Sequence, residues 1–310
     1  ILAAVQSFIP ELNIPREPIV FVSGIGCSSR FPYYMNTYGM HSIHGRAPAI
    51  ASGLAVARPD LDVWVITGDG DGLSIGGNHL IHALRRNVNL TILLFNNQIY
   101  GLTKGQYSPT SEKGKVTKST PFGSLEHPFN PVSVALGAEA SFVARTLDVE
   151  RKHLPEMVRR AAAHRGSAFI EIYQNCNIFN DGAFIALTGK DGRTLNRIYL
   201  EHGKPIRFGP NKEKGVRMTA DARCEIVDVA EVGESNLLVH DEHRDDAGLA
   251  FALSRLAENP TGPTPLGVFR DVRRPAYGDG MEHQLRVAAD QQGPGDLDRL
   301  LGSGDTWTVE

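Results

Sequence analysis

Two apolar runs that each stop at oxygen-bearing side chains constrain the fold more than any other part of this sequence. Residues 63–67 are rich in β-branched side chains and lead into Gly-Asp-Gly with Asp69 at its centre, and residues 90–95 lead into Asn96 and Asn97. The stretch between the two runs has a helical pattern. The sequence therefore predicts a strand–helix–strand unit of a parallel sheet.

The ends of these two strands supply oxygen ligands for a cation. In parallel sheets the carboxyl ends of the strands meet at one edge, and neighbouring strands lie about 5 Å apart, so we expect Asp69 and Asn97 to lie close together. A carboxylate, an amide oxygen and a nearby backbone carbonyl form an incomplete oxygen shell. Such a shell suits Mg²⁺, which keeps water and takes its other ligands from a diphosphate.

Two other known ligand-binding loops do not fit these residues. An EF-hand loop that starts at Asp69 needs a glutamate where this chain has Leu80, and a phosphate-binding loop needs Ser or Thr after Lys115, where Val116 stands. Both are excluded. The interpretation of Gly-Asp-Gly as a simple turn stays open on this motif alone, because such tripeptides end many strands.

Further runs complete the predicted sheet. Residues 19–22 lead into a glycine-rich loop that contains Cys27, and residues 168–173 lead into a polar segment that contains Cys176. We expect an α/β fold with a doubly wound, mostly parallel sheet of five strands over about residues 15–180. The remaining predicted elements are helices at 47–57, 76–86 and 149–164 and a strand at 141–144.

The chain is predicted to consist of one large domain, residues 1–186, and a C-terminal extension, residues 187–310. Glycine and proline punctuation in residues 187–220 is typical of hairpin-like segments. In the rest of the extension, residues 241–257 are predicted to form a helix, and the segment from residue 282 is predicted to be a frayed terminus.

The composition excludes several classes of protein. A formal net charge of −3 provides no electrostatic footprint for nucleic acid. The sequence contains no run of about 20 apolar residues, which a membrane-spanning helix would require. Three cysteines in 310 residues do not indicate a disulfide framework and favour a reducing compartment. We therefore expect a cytoplasmic enzyme without a nucleic-acid or membrane partner.

Several short motifs in a fixed order resemble one enzyme family. That family is the β subunit of 2-oxoacid:ferredoxin oxidoreductases, and the resemblance to its 2-oxoglutarate branch is the strongest. The likeness extends from residue 1 to about residue 210. The motifs are Gly-Ile-Gly-Cys-Ser at 24–28, His-Gly-Arg at 44–46, Gly-Asp-Gly-Asp at 68–71, Gly-Asn-His at 77–79, Asn-Asn at 96–97, the segment 100–110 and Asn-Cys-Asn at 175–177.

The resemblance implies a thiamine-diphosphate-binding fold with thiamine diphosphate and Mg²⁺ as cofactors. The metal would be held by Asp69, Asn97 and the backbone carbonyl of Ile99, and His44 and Lys104 would take part in catalysis. The residues that would bind the cofactors are Gly26, Cys27, Ser28, His44, Gly68, Asp69, Gly70, Asp71, Asn97, Tyr100, Gly101, Leu102 and Thr103.

The resemblance also implies a [4Fe–4S] cluster, with Cys27 and Cys176 as two of its four thiolate ligands. In the family, the other two come from a Cys-x-x-Cys pair just ahead of the segment that residues 1–5 resemble. This sequence has neither that pair nor an initiator Met. We therefore expect an N-terminal segment to be missing, and we expect the chain as it stands not to hold a normal cluster.

The implied activity is the oxidative decarboxylation of 2-oxoglutarate to succinyl-CoA, with electrons passed through the cluster to ferredoxin. The implied partners are an α subunit that carries the second thiamine-type domain, ferredoxin, a 2-oxoacid and coenzyme A. Pyruvate or a broader range of 2-oxoacids stays open as the substrate. A non-oxidative thiamine-diphosphate decarboxylase or carboligase, and a degenerate regulatory subunit, are the alternative functions.

Individual residues also have structural interpretations. His44 lies at a predicted helix entry, where it could simply cap or pack, and Arg46 could pair with the diphosphate or with a surface carboxylate. Lys104 could order its loop rather than bind an anionic group of the substrate. For the other loop lysines, a solvated surface position is preferred; these are Lys113, Lys115 and Lys118.

Overall fold

An eight-stranded sheet with helices on both faces forms the centre of the molecule. The structure is a computed structural model that describes residues 1–256 and 262–309. The strands are β1 (Ile19–Ser23), β2 (Tyr38–His41), β3 (Asp62–Gly68), β4 (Leu90–Asn96), β5 (Phe142–Leu147), β6 (Ser167–Tyr173), β7 (Arg197–Tyr199), β8 (Arg207–Phe208), β9 (Lys214–Met218), β10 (Cys224–Asp228) and β11 (Thr264–Asp271).

Most helices are short and lie between the strands. The α-helices are α1 (Leu2–Phe8), α2 (Ala47–Ala57), α3 (Asp69–Leu73), α4 (Gly77–Arg85), α5 (Pro131–Gly137), α6 (His153–Ala163), α7 (Ile185–Thr188), α8 (Gly192–Asn196), α9 (Val229–Val232), α10 (Gly248–Ser254), α11 (Tyr277–Gln292) and α12 (Leu297–Leu301). The 3₁₀ helices are Ile9–Leu12, Ser28–Tyr34 and Glu234–Asn236.

The sheet has the order β2-β1-β3-β4-β6-β5-β11-β7. The first six of these strands pair in parallel. β11 is antiparallel to β5, and β7 is parallel to β11. The predicted α/β class with a mostly parallel sheet is confirmed. The predicted count of five strands is too low, because β2, β7 and β11 also belong to the sheet.

The strands at the centre of the sheet are buried on both faces, which explains their nearly continuous apolar sequences. Every residue of β4 and of β6 is buried. Along β3 the side chains alternate, so that Val63 and Val65 belong to one apolar layer and Trp64 and Ile66 to the other. The first layer packs against α2, α4, α5 and α10, and the second packs against α1 and α6.

The predicted helix at 47–57 is confirmed, and the one at 76–86 is one residue shorter at each end. The predicted helix at 149–164 begins only at His153. The predicted strand at 141–144 continues to Leu147, because the charged Arg145 within it is buried and paired rather than solvated.

The extension is more ordered than its sequence suggests. The prediction of hairpin-like segments is confirmed in part, since β8, β9 and β10 form a separate antiparallel sheet. The predicted helix at 241–257 is shorter, because α10 starts only at Gly248, and residue 257 lies outside the described residues. The predicted frayed terminus from residue 282 is wrong, since residues 282–292 belong to α11.

The buried side chain of Asn87 fastens the extension to the parallel sheet. Its backbone has a left-handed φ of 54°, which asparagine tolerates better than most residues. Nδ2 donates to the carbonyls of Arg274 and Pro275, both at 3.1 Å, and Oδ1 accepts from Ser141 Oγ at 2.6 Å and from the Ser167 amide at 2.9 Å. The Asn87 side chain therefore connects the segment that follows β11 to the starts of β5 and β6.

Among the described residues, no helix is long and apolar enough to cross a lipid bilayer.

We expect Asn87→Ala to lower the free energy of unfolding by about 2–4 kcal/mol, because it leaves several buried polar groups without partners. Chemical denaturation measures this change, and limited trypsin proteolysis after the exposed Arg273 reports whether the extension detaches. Asn211→Ala, at an exposed position, is the control. A loss below about 0.5 kcal/mol in Asn87→Ala would contradict the proposed anchor.

Candidate functional site

A cavity of about 560 Å³ opens beyond the carboxyl ends of β1, β3 and β4. All the residues predicted to bind the cofactors lie in its wall, as does Ile99; they are Gly26, Cys27, Ser28, His44, Gly68, Asp69, Gly70, Asp71, Asn97, Tyr100, Gly101, Leu102 and Thr103. The predicted residues Lys104 and Cys176 are not in this wall. Residues that the sequence analysis did not select also line it; they are Ile25, Phe95, Gln106 and Gln174.

Asp69 is the buried carboxylate of the cavity. It is the first residue of α3, directly after β3, and its Oδ2 accepts hydrogen bonds from Ser108 Oγ at 2.5 Å and Thr110 Oγ1 at 2.7 Å. Burial raises its pKa, and the hydroxyl bonds and the amides of Asn97 and Gly70 oppose that rise. In the described part of the chain no Lys, Arg or His forms an ion pair with it. A bound cation would supply the missing positive charge.

The turn after β4 arranges further oxygen atoms. Asn97 Oδ1 accepts the amide of Ile99 at 3.2 Å, and Gln98 between them has a left-handed φ of 55°. Asn180 Nδ2 donates to the carbonyl of Asn97 at 3.0 Å, and Ser111 Oγ donates to that of Gln98 at 2.6 Å. The Ile99 carbonyl accepts no hydrogen bond from the described residues. The donor set is thus hard oxygen, as Mg²⁺ requires.

Asp71 holds the surrounding loops together. Its buried Oδ1 accepts the backbone amides of Ile25 at 3.0 Å and Gly45 at 2.7 Å, and it lies 3.1 Å from His44 Nδ1. Its Oδ2 accepts from Thr67 Oγ1 at 2.6 Å. The loops after β1 and β2 are therefore fixed by one carboxylate, which also orients the imidazole of His44 toward the cavity.

Two glycines in the motifs are required by close packing. A Cβ at Gly24 would lie 2.1 Å from Asp71 Oδ2, and a Cβ at Gly70 would lie 2.3 Å from a ring carbon of Tyr100. The hydroxyl of Tyr100 in turn donates to the Gly70 carbonyl at 2.9 Å. Any larger residue at either position would displace a wall of the cavity.

The cavity also contains a polar atom without a partner. Ser28 Oγ is buried and forms no hydrogen bond with the described residues. It lies 3.4 Å from the place where a Cβ on Gly68 would stand. A buried polar group left unpaired costs free energy, so its position in the cavity wall fits a polar group of a bound molecule. Together with Asp69 and the turn after β4, this fits a diphosphate held by Mg²⁺.

The two predicted cluster cysteines lie beside the same residue. The Sγ atoms of Cys27 and Cys176 would be 3.3 Å and 3.9 Å from a Cβ on Gly101. Burial raises the pKa of Cys27, the neighbouring Cys176 raises it further, and Arg30 opposes both effects. The third cysteine, Cys224, lies in β10 of the other sheet. Two adjacent thiols fit half of a four-thiolate cluster and do not fit a complete one.

Lys104 lies outside the wall of this cavity. Its side chain is exposed, its φ is 78°, and it lines an adjoining cavity of about 590 Å³ that shares Ile99 with the first. Lys115 lines the same adjoining cavity and is only half-exposed, with Nζ 2.7 Å from Asn180 Oδ1. The prediction that Lys115 lies at a solvated surface position is therefore wrong, whereas Lys113 is exposed as expected.

Arg46 forms no ion pair with a carboxylate among the described residues. Its Nη1 lies against His79 Nε2, on the helix that follows the metal motif. The contact connects the start of α2 to the start of α4 beside the cavity.

A buried polar chain behind the site was missed in the sequence. Thr110 Oγ1, which bonds Asp69, also lies 2.9 Å from Asn96 Oδ1, and Asn96 Nδ2 donates to Glu171 Oε1 at 2.8 Å. Glu171 Oε2 then accepts from Arg145 Nε at 2.6 Å, with both side chains buried. The available signal was a charged residue in each of two apolar strand sequences.

Comparison with known proteins identifies the relationship. Residues 24–172 match the family described as thiamine pyrophosphate enzyme, C-terminal TPP binding domain. The chain is 60% identical over 312 residues to the 2-oxoglutarate oxidoreductase subunit KorB of Mycobacterium tuberculosis, with 100% of this chain and 83% of that one covered. The chain belongs to the KorB family of oxidoreductase β subunits. The resemblance found in the sequence is thereby confirmed.

Other members of the KorB family and a solved structure agree with this assignment. The 2-oxoacid:ferredoxin oxidoreductase 1 subunit beta of Aeropyrum pernix is 46% identical over 181 residues, which cover 58% of this chain and 57% of that one. The structure of the 2-oxoglutarate:ferredoxin oxidoreductase from Magnetococcus marinus superposes with a TM-score of 0.73 at 34% identity. The superposition covers 97% of this chain and 86% of that chain.

For this KorB-family chain we expect Asp69→Ala to abolish Mg²⁺-dependent binding of thiamine diphosphate, because it removes the charged oxygen ligand. Asn97→Ala should weaken that binding strongly, because it removes a neutral one. Calorimetric titration of the cofactor with and without Mg²⁺ measures both effects. Asp60→Ala, at an exposed position, is the control, and unchanged cofactor affinity in Asp69→Ala would refute the assignment.

We expect Glu171→Gln to lower the free energy of unfolding by about 3–5 kcal/mol, because it leaves the Arg145 guanidinium buried without its counter-charge. Glu156→Gln, which disrupts an exposed pair with Arg159, should cost about 1 kcal/mol or less. Urea denaturation of both variants provides the comparison. Equal small losses would contradict a stabilising role for the buried pair of Arg145 and Glu171.

Proposed function

We propose that this chain binds Mg²⁺ and thiamine diphosphate and serves in the oxidative decarboxylation of 2-oxoglutarate to succinyl-CoA, with ferredoxin as electron acceptor. One observation carries the proposal. The buried Asp69 has no cationic partner in the described part of the chain, and it lines one cavity with Asn97, Ile99 and the unpaired hydroxyl of Ser28.

The residues of the cavity have distinct tasks in this proposal. Asp69, Asn97 and the Ile99 carbonyl hold the metal, and Ser28 donates to a phosphate oxygen. When bound, thiamine diphosphate supplies the electron sink for the carbon left after loss of carbon dioxide. His44, with Nδ1 held 3.1 Å from Asp71, presents Nε2 for proton exchange at the substrate's carbonyl oxygen. The apolar parts of Phe95 and Leu102 limit the access of water.

The choice of substrate is supported by the relatives. The Mycobacterium tuberculosis relative is named for 2-oxoglutarate. The solved Magnetococcus marinus enzyme has 2-oxoglutarate, coenzyme A and succinyl-CoA bound. We propose that an α subunit completes the site by supplying the second thiamine-type domain. Because the proposed electron acceptor is ferredoxin, we place the enzyme in the cytoplasm.

The proposed route for the electrons begins at the two thiols beside Gly101. Cys27 and Cys176 would be two of the four ligands of a [4Fe–4S] cluster, and a Cys-x-x-Cys pair ahead of Ile1 would supply the others.

The deciding experiment uses the chain, preceded by the N-terminal segment of its relatives, together with its α partner. We expect ferredoxin reduction with 2-oxoglutarate that requires coenzyme A, Mg²⁺ and thiamine diphosphate, and slower reduction with pyruvate. Release of the aldehyde without any need for coenzyme A or ferredoxin would instead establish the non-oxidative alternative.

We expect Lys104→Met to lower kcat/KM for 2-oxoglutarate about tenfold to a hundredfold more than for pyruvate. The reason is that only 2-oxoglutarate keeps a second carboxylate, whose charged hydrogen bond is typically worth about 1.5–3 kcal/mol. Lys113→Met, in the same loop and exposed, is the control. Equal losses with both substrates would leave Lys104 a residue that orders the loop.

We expect the 310-residue chain to purify with little iron, and addition of the Cys-x-x-Cys segment to restore iron and sulfide together. Cys27→Ser in the extended chain should lose both, whereas Cys224→Ser should keep them. Iron and acid-labile sulfide analysis gives the result. A full cluster in the 310-residue chain would show that the proposed ligand set is wrong.

A further inference from the structure

We propose a second metal site, for Zn²⁺ or a similar divalent transition metal, formed by His202, Glu242 and His243. One ligand atom from each of these residues lies within 4.8 Å of the others. None of the three lines the thiamine cavity. The proposal does not depend on the activity of that cavity.

Backbone hydrogen bonds bring the three ligands together before any ion binds. The amide of Gly203 donates to the carbonyl of His240 at 2.8 Å, and the amide of His240 donates to the carbonyl of Lys204 at 3.0 Å. These bonds place the turn after β7 beside the segment that contains Glu242. The amide of Asp271 donates to the Glu242 carbonyl at 2.7 Å, which ties the same segment to the end of β11.

The hydrogen bonding of His243 prepares its other nitrogen for a metal. Nδ1 lies 2.7 Å from the backbone carbonyl of Asp271, so it must carry the proton and donate it. Nε2 then bears the free lone pair, and it lies 3.5 Å from Glu242 Oε1. A histidine ligand whose second nitrogen donates to a carbonyl is the usual arrangement at protein metal sites, because that bond fixes both tautomer and ring orientation.

Carboxylates and arginines both lie close to the three ligands, and the cavity beside His243 is lined by Arg160, Arg165, Arg273 and Arg274. Glu242 is buried, and Arg160 donates to its Oε1 at 2.9 Å and to its Oε2 at 3.1 Å. Asp241 Oδ1 lies 3.6 Å from His202 Nδ1, and Asp271 shares the Arg160 guanidinium at 3.1 Å. Two carboxylates thus pair with the Arg160 guanidinium and a third lies beside His202, so a bound divalent ion would share Glu242 with Arg160.

The ligand types indicate which ion binds. Two imidazoles and one carboxylate suit Zn²⁺, Cu²⁺, Ni²⁺ or Co²⁺, whereas Mg²⁺ and Ca²⁺ prefer oxygen ligands. Three protein ligands leave a coordination position for water. Because the ligands come from the turn after β7 and the segment before α10, the ion would join the two chain segments that enter and leave the small antiparallel sheet.

The test is a calorimetric titration of Zn²⁺ into the full chain with Mg²⁺ and thiamine diphosphate present to saturate the other site. The chain carries Cys27→Ser and Cys176→Ser, so that the thiols beside Gly101 do not bind Zn²⁺. We expect one equivalent to bind, and His202→Ala and His243→Ala each to weaken the affinity about tenfold or more. His283→Ala, an exposed histidine on α11, is the matched control and should change nothing.

The proposal is overturned if no Zn²⁺ binds, or if neither of the two ligand variants binds it more weakly. Circular dichroism and thermal unfolding without Zn²⁺ establish that each variant is folded. Should both histidine variants fail to fold, Co²⁺ added to the chain with intact histidines decides the question. A visible Co²⁺ absorption band that Zn²⁺ abolishes supports the site, and the absence of such a band overturns it.

Discussion

The buried carboxylate of Asp71 is the interaction on which the arrangement of the site depends. It accepts bonds from the loop after β1, the loop after β2 and the end of β3, and it lies beside His44. Hydrogen bonds from three separate chain segments therefore satisfy this carboxylate. One side chain therefore sets the relative positions of three cavity walls.

Asp69 has the opposite character, although it is only two residues away. Burial raises its pKa, and it faces the cavity without an ionic partner among the described residues. The same short helix thus presents one carboxylate that the protein satisfies and one that it leaves for a ligand. The chain from Thr110 through Asn96 to Glu171 and Arg145 supports the second carboxylate from behind. Such a network is rigid only while every member has its partner.

Much of the fold and of the cavity wall could be predicted from the sequence, because the spacing of the apolar residues and the order of the strands determine them. Once residues 63–67 and 90–95 were assigned to parallel strands, Asp69 and Asn97 had to meet at one edge. The positions of Ser108 and Thr110 could not be predicted, since the loop that contains them returns to Asp69 without any local periodicity. The pairing of β11 with β5 depends on contacts between distant segments. Helix α11 was mistaken for a frayed end because the Gln-Gln-Gly-Pro-Gly segment at 291–295 is typical of irregular structure, although the helix continues to Gln292.

Gly101 belongs both to the wall of the thiamine cavity and to the surroundings of the two thiols. A group held by Cys27 and Cys176 would therefore be separated from the cavity by little more than the thickness of one peptide backbone. Electron transfer through protein slows steeply with distance, so a partition without a side chain provides a short path. If the proposed cluster is held there, the absence of a Cβ at Gly101 would favour fast electron transfer as well as close packing.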